Sequence, residues 1–266
     1  MKKRKTGFIL MLVLILYLLL PLVVTFIYSV SRKWTNLMPE GFHLGNYSAL
    51  FTDHIFLQSI GRSVIMCIIP IAITTVAILL ALFVVLVYFP KLEKYIQIIC
   101  MIPYTIQGII LSVSILSMYV DAPWILHNRM VMLIGAYCVI ILPYIYQGIR
   151  NGMRAINMYT LLEAAQMLGA SKIRAFFQVI VPNIRSAITV SALLAVGIIF
   201  GDYVLIRNLA GTAKPNMQIY LYQTMKSDST KSSAVFVIIM LVTFVITAAV
   251  LYAKDREKIG RKHKEK

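Results

Sequence analysis

The chain has 266 residues, of which 60% are hydrophobic and only 14% charged. Soluble domains run near half apolar and a quarter charged, so a mean hydropathy of +0.82 places most of the chain in lipid. That excludes soluble enzymes and secreted disulfide scaffolds, and the net charge of +16 does not argue for nucleic acid, because Lys and Arg gather between apolar blocks and at the termini.

A hydrocarbon core about 30 Å thick is crossed by roughly 20 apolar helical residues. Six stretches qualify, at 7–30, 60–89, 95–120, 130–149, 184–206 and 233–253, which makes the fold class all-α integral membrane with six transmembrane helices. The first stretch follows Lys2, Lys3, Arg4 and Lys5, but it exceeds the roughly 7 to 15 apolar residues of a secretory signal and reads as an anchor. Cys67, Cys100 and Cys138 all fall inside apolar runs, where a thiol behaves as a small hydrophobe. The expected organisation is a tail at 1–6, a transmembrane domain at 7–253 and a basic tail at 254–266.

Six spans put both termini on one side. With the termini in the cytoplasm, 18 of the 26 Lys and Arg residues fall on the cytoplasmic side, the excess that fixes such an orientation. The basic tail around Arg256, Arg261, Lys262 and Lys264 carries this signal and can also touch anionic lipid.

The connection between the fourth and fifth spans, at 150–183, is longer than a plain loop and has helical patterning. Its first helix has two candidate caps: Thr160, with Glu163 completing a capping box, or Asn157 one turn earlier. Leu161, Leu162, Ala164, Ala165 and Leu168 give it an apolar side, and Gly169 can close it in the left-handed conformation. Ser171 caps a second helix that carries Ile173, Phe176, Phe177 and Ile180 and is expected to stop before Pro182.

Within this loop Glu163-Ala164-Ala165, then three residues, Gly169 and, after nine more, Val179, one residue, Val181 and Pro182 resemble the EAA signature of binding-protein-dependent ABC importer permeases. That family has Ile and Leu where Val179 and Val181 stand, and the apolar character is kept. The resemblance implies that Glu163, Ala164, Ala165, Gly169, Ala170, Ser171 and Pro182 belong to the site that couples to a cytosolic ATPase. It further implies an ABC ATPase dimer, a second and related permease subunit, an extracytoplasmic solute-binding protein, and a place in the bacterial inner membrane.

The chain has no GxxxxGK[ST] loop, the nearest string being Gly169-Ala-Ser-Lys172, so ATP and magnesium are expected on the partner ATPase and no cofactor on this chain. His43, His54, His127 and His263 are scattered, giving neither a metal site nor a catalytic pair. Membrane lipid is an expected partner and nucleic acid is not.

For the solute path, Asp202 is the conspicuous residue, since an acid in mid-membrane must face protein, water or a cation unless it is hydrated at the end of its span. Tyr104, Gln107, Tyr144 and Gln147 are further candidates, near Pro103 and Pro143, which interrupt helical ladders, and Tyr203 adjoins Asp202. The stretch Gly201-Asp202-Tyr203-Val204 followed by Asn208-Leu209-Ala210-Gly211 is similar to permeases of the polyamine branch and its ferric-iron, thiamine and phosphonate relatives. An acid beside tyrosines suits a cation, which favours spermidine or putrescine, whereas an anionic phosphonate would want Arg or Lys; phosphonate, ferric iron and thiamine are the alternatives. Outside this class, a secondary transporter would call for an inverted repeat or several intramembrane acids.

Overall fold

The computed structural model describes residues 2–33, 40–119, 128–211 and 215–264. Met1, Val120, His127 and Lys266 lie outside the described residues, as do the side chains of Arg256, Arg261, Lys262, His263 and Lys264. Among the described residues five helical stretches are long and apolar enough to cross a membrane: Leu10–Ser29, His54–Tyr88, Arg129–Ala155, Lys172–Gly201 and Ser229–Ala248. A sixth is added if the bent pair Pro90–Thr105 and Gly108–Met118 forms one span. The protein is therefore an all-α integral membrane protein. Its chain packs as two compact units, residues 1–61 with 215–244 and residues 62–214 with 245–266.

The first unit opens with α1 (Lys2–Ser29), whose apolar side chains stay exposed within the chain. A short antiparallel hairpin follows, β1 (Ser31–Lys33) with β2 (Glu40–Phe42), pairing Ser31 with Phe42. Then come α2 (Gly45–Thr52) and the first turns of α3 (His54–Tyr88). The corner between them is fixed by Asp53, whose carboxylate accepts from the backbone N–H of Ile55 at 2.9 Å and from the hydroxyl of Tyr220 at 2.6 Å.

The second unit holds the rest of α3, then α4 (Glu93–Met101) and α5 (Gly108–Tyr119). The expected third span is not one straight helix, because the segments on either side of residues 106–107 meet at 100°. Pro103 has no N–H to offer the ladder, Ile106 turns extended, and its N–H bonds back to the Pro103 carbonyl at 3.2 Å. Pro143, by contrast, sits inside α6 (Arg129–Ala155) without ending it.

After α6 the chain forms α7 (Met158–Met167) and α8 (Lys172–Ala175). The expected stop before Pro182 does not occur: α8 runs through a π-turn, Phe176–Ile180, into α9 (Val181–Gly201). The wider turn shifts the carbonyl register just before the proline, and the side-chain amide of Asn183 donates to the Val179 carbonyl at 2.9 Å. The fifth span thus starts earlier than expected and ends at Gly201 instead of Ile206, because Asp202 turns extended. A second π-turn, Ile206–Ala210, follows. Two further helices follow: α10 (Met217–Ser227) belongs to the first unit, and α11 (Ser229–Lys264) belongs to it as far as residue 244 and to the second unit from there on; α10 lay outside the expected spans, and α11 continues beyond residue 253 to Lys264.

The seam that organises the second unit is α6 against α9. A Cβ placed on Gly148 would lie 2.4 Å from the Cβ of Ser191, and one on Gly152 would lie 2.5 Å from that of Ala187. Two small residues one turn apart on each helix let the backbones approach closely, which is how helices associate in lipid, where apolar burial gives no driving force.

Replacing Gly152 with Leu should lower the thermal stability of the detergent-purified protein by about 1–3 kcal/mol. Gly197→Ala, where a Cβ meets nothing within 4 Å, should leave it unchanged. A thermal unfolding series read by size-exclusion chromatography separates the two.

In the first unit burial draws the Asp53 carboxyl upward, but the hydrogen bonds from Tyr220, Ile55 and Phe56 and the charge of Lys231 outweigh it and hold it below the ordinary carboxylate range. A group lowered in the folded state stabilises above its unfolded value, about 3.9, and loses that contribution as pH falls through the folded value. Hydrogen-exchange protection of α10 should therefore be constant from neutral pH down to about 4 and decline only below it. Asp53→Asn should lower that protection at neutral pH.

Candidate functional site

The loop after α6 forms a helix–turn–helix. Asn157, in the left-handed region at φ 49°, turns the chain out of α6, and α7 begins directly after it. Of the two caps considered, the position of Asn157 is the one used, although its side chain makes no capping bond; Thr160 already lies within the first turn, so the capping box with Glu163 does not form. Gly169, at φ 84°, closes α7 as expected. The N–H of Gly169 bonds to the Gln166 carbonyl at 2.9 Å and that of Ala170 to the Ala165 carbonyl at 3.0 Å, so the last carbonyls of the helix are satisfied. Ser171 then caps α8, its hydroxyl accepting from the Arg174 N–H at 3.3 Å.

One face of α7 is anchored. Met158, Leu162 and Ala165 are buried, and α7 packs on the π-turn, where Phe176 and Ile180 are fully buried. Phe176 in turn lies 5.0 Å, ring to ring, from Phe83 of α3. The opposite face is bare: Glu163 and Ala164 are exposed, and at the tip Met167 is 88% and Leu168 90% exposed. Gly169 and Ser171 are also exposed, Ala170 and Pro182 half-buried. Of the predicted loop residues, Ala165 thus belongs to the anchored side, while Glu163, Ala164 and Gly169 belong to the open one. Met167 carries as much exposed apolar surface as Leu168 but drew no attention from sequence, where a Met in a helix reads as filler.

Beside the α6–α9 seam lies a cleft of about 590 Å³. Tyr104, Tyr144 and Gln147 line it, so three of the six residues expected on the path come together there. The rings of Tyr104 and Tyr144 meet at 4.9 Å in an edge arrangement, and the Gln147 amide donates to the sulfur of Met101 at 3.1 Å. Asn151, Asn183 and Ser186 also line the cleft and were not foreseen. Counting helical turns from Tyr144 through Gln147 to Asn151 would have found the first of these. Among the described residues no carboxylate, ammonium or guanidinium group lines it.

The remaining three expected path residues lie elsewhere. Gln107 is exposed at the bend before α5. Asp202 follows the last residue of α9, accepts from the hydroxyl of Tyr137 at 3.1 Å and from the Leu205 N–H at 3.2 Å, and so caps the helical turns that come next. The ring of Tyr203 has the Arg207 guanidinium 5.7 Å from its centroid. Among the described residues no cluster of three His, Cys, Asp or Glu side chains is placed to hold a metal.

Residues 73–257 match the family model described as "Binding-protein-dependent transport system inner membrane component". Among curated proteins none matches this chain. Among solved structures, a chain of a bacterial ABC transporter involved in the import of the acidic polysaccharide alginate superposes with a TM-score of 0.70 over 96% of each chain at 15% sequence identity, a likeness of fold.

Because a Cβ at Gly169 would meet nothing within 4 Å, substitution there acts through the backbone alone. Gly169→Ala and Gly169→Leu should cost the closing turn similar amounts, about 1–2 kcal/mol, and Gly169→Asn less. Hydrogen exchange at the amides of residues 158–170 reads the difference.

Proposed function

This chain belongs to the family of binding-protein-dependent transport system inner membrane components, and from that premise we propose how its parts serve as the permease subunit of an ABC importer. Members of this family are non-catalytic transport subunits that work with an ATPase and a binding protein. In our reading the helix–turn–helix at 158–181 is the contact with the ATPase, which binds and hydrolyses ATP with magnesium. The observation that carries this is the bare apolar tip, Met167 and Leu168, on a helix whose other face is packed onto Phe176 and Ile180. An apolar pair this exposed needs a partner surface, and the anchored face makes α7 a lever: force on the tip passes through the π-turn into α9 and through Asn157 into α6. Glu163, Ala164, Gly169, Ala170 and Ser171 flank the tip on the docking side, Ala165 seats the lever and Pro182 marks its join with α9.

The termini and this loop then lie in the cytoplasm of a bacterium, the chain crosses the inner membrane, and a second, related permease subunit faces the α6–α9 cleft. Solute delivered by the extracytoplasmic binding protein passes along that cleft. Its tyrosines and uncharged amides and hydroxyls suit a polar solute held by hydrogen bonds and aromatic contact, with charge selection left to the receptor. A polyamine such as spermidine or putrescine is the second reading, favoured by the Tyr104–Tyr144 pair, whose faces attract ammonium groups. The carboxylate of Asp202 is taken up by Tyr137 and the Leu205 N–H and adds no weight to it.

The paired substitution Met167→Asp with Leu168→Asp should abolish copurification of the ATPase while leaving the monodispersity and thermal stability of the permease unchanged, since neither side chain is packed. Full copurification with both acids in place would remove the tip from the interface.

A further inference from the structure

The helix–turn–helix has two roots, the end of α6 and the start of α8, and one turn of the chain touches both. The third helix, α3, ends at Tyr88 and α4 begins at Glu93, so only Phe89, Pro90, Lys91 and Leu92 separate them. These residues are stiffly held. Pro90–Leu92 is a tight helical turn with the proline at its start, and the N–H groups of Phe89 and Leu92 bond back to the carbonyls of Val85 at 3.0 Å and Phe89 at 2.9 Å. On one side of this turn α3 meets the root at α8. The ring of Phe83 lies 5.0 Å from that of Phe176, 5.9 Å from that of Phe177 and, edge-on, 5.6 Å from that of Tyr88. Lys172 holds its ammonium 5.2 Å from the centroid of the Tyr88 ring, so packed rings and a cation join the end of α3 to α8 and the π-turn.

On the other side of the turn α4 meets the root at α6. The Glu93 carboxylate accepts from Arg150 Nε at 2.7 Å, again from Arg150 Nη2, and from Arg154 Nη2 at 3.4 Å. Only 10% of the Arg150 side chain is exposed, and a charge buried to that degree depends on its counter-charge. Further along, α4 keeps to α6: the sulfur of Met101 accepts from Gln147, and Tyr104, just beyond α4, meets Tyr144. Tyr104, Tyr144 and Gln147 line the cleft, so its wall is built jointly by α6 and the chain that follows α4. A push on the helix–turn–helix that moved α6 and left α4 behind would part Tyr104 from Tyr144 and break that wall.

Resting on the reading of 158–181 as the ATPase contact, we propose that the turn between α3 and α4 is a brace across both roots, through which movement of the helix–turn–helix carries α3 and α4 along with α6 and α9. Phe83 and Glu93 are its positioning residues. Phe83 fastens α3 to the π-turn, and Glu93 fastens α4 to the end of α6. Packed rings and a buried ion pair hold one arrangement or another and do not stretch between them, so a displacement at either root is passed on whole. The brace keeps α4 beside α6 as the helix–turn–helix moves, and with it the cleft wall.

The test uses the full chain with Cys67, Cys100 and Cys138 replaced by Ala and spin labels at exposed positions, read as distances by pulsed electron paramagnetic resonance. The pair 139 and 168 joins α6 to the tip of α7, and the pair 84 and 139 joins α3 to α6. In the chain alone, in lipid nanodiscs, the first pair should give a single narrow distance that is lost in Phe83→Leu and in Glu93→Gln and kept in Phe83→Tyr, which retains the ring. Should Glu93→Gln, with Arg150 left unpaired, not survive purification, Glu93→Leu with Arg150→Leu removes the ion pair whole and takes its place. A narrow distance persisting in both brace variants would overturn the proposal. In the complex with its ATPase, trapped by ATP and vanadate, the second pair should keep its distance when the brace is intact and part in the Phe83→Leu variant while the ATPase still copurifies. A change of that distance with the brace intact would show that α3 does not follow α6 and would equally overturn it. The nanodisc reading needs no ATPase, so a failure of the ATPase to copurify with the unaltered chain sinks the ATPase assignment and leaves the brace to be decided by that reading.

Discussion

The close approach of α6 and α9 governs the second unit. In lipid an apolar side chain gains nothing by facing another helix instead of an acyl chain, so two helices stay together only where their surfaces fit. Gly148 and Gly152 on one helix, facing Ser191 and Ala187 on the other, supply that fit, and a methyl group at either glycine would overlap its neighbour. Everything with a functional reading hangs on this pair. The cleft lies along its flank, and the helix–turn–helix joins the end of one helix to the start of the other.

The breaks in the other helices follow from the same solvent. A backbone amide cannot be left bare in hydrocarbon, so each interruption carries its own substitute partners. At Pro103 the Ile106 N–H turns back to the proline carbonyl, before Pro182 the Asn183 amide reaches the Val179 carbonyl, and after Gly201 the Asp202 carboxylate meets the Leu205 N–H. These three arrangements convert what would be uniform rods into jointed ones. An acid that looked like a cation ligand is in this light a helix cap, held in place by Tyr137.

Much of the fold was legible in the sequence because hydropathy and length fix where a helix can cross lipid. The blocks at 130–149 and 233–253 fall within α6 and α11, and Gly169 and Ser171 took the conformations their residue types demand. What hydropathy could not show was direction. Residues 95–120 are apolar enough to span, but the bend at residues 106–107, where Pro103 withdraws an N–H and Ile106 turns extended, is a matter of backbone conformation that no window average reports. Likewise Pro182 reads as a helix stop until a π-turn, invisible to a periodicity count, makes room for it. The cleft was half legible: aromatic and amide residues on α6 stood out, whereas Asn183 and Ser186 came to line it beside Tyr144 only through the seam.

The claim on which the functional reading rests is that the bare tip of α7 meets an ATPase. A photo-crosslinking amino acid placed at Leu168 in intact membranes interrogates that contact without disturbing packing, since the side chain is 90% exposed. Irradiation should yield one dominant adduct whose second component is an ABC ATPase, gained or lost with the nucleotide state. Adducts to lipid alone, with transport intact, would contradict the assignment and leave the tip as a membrane-surface element.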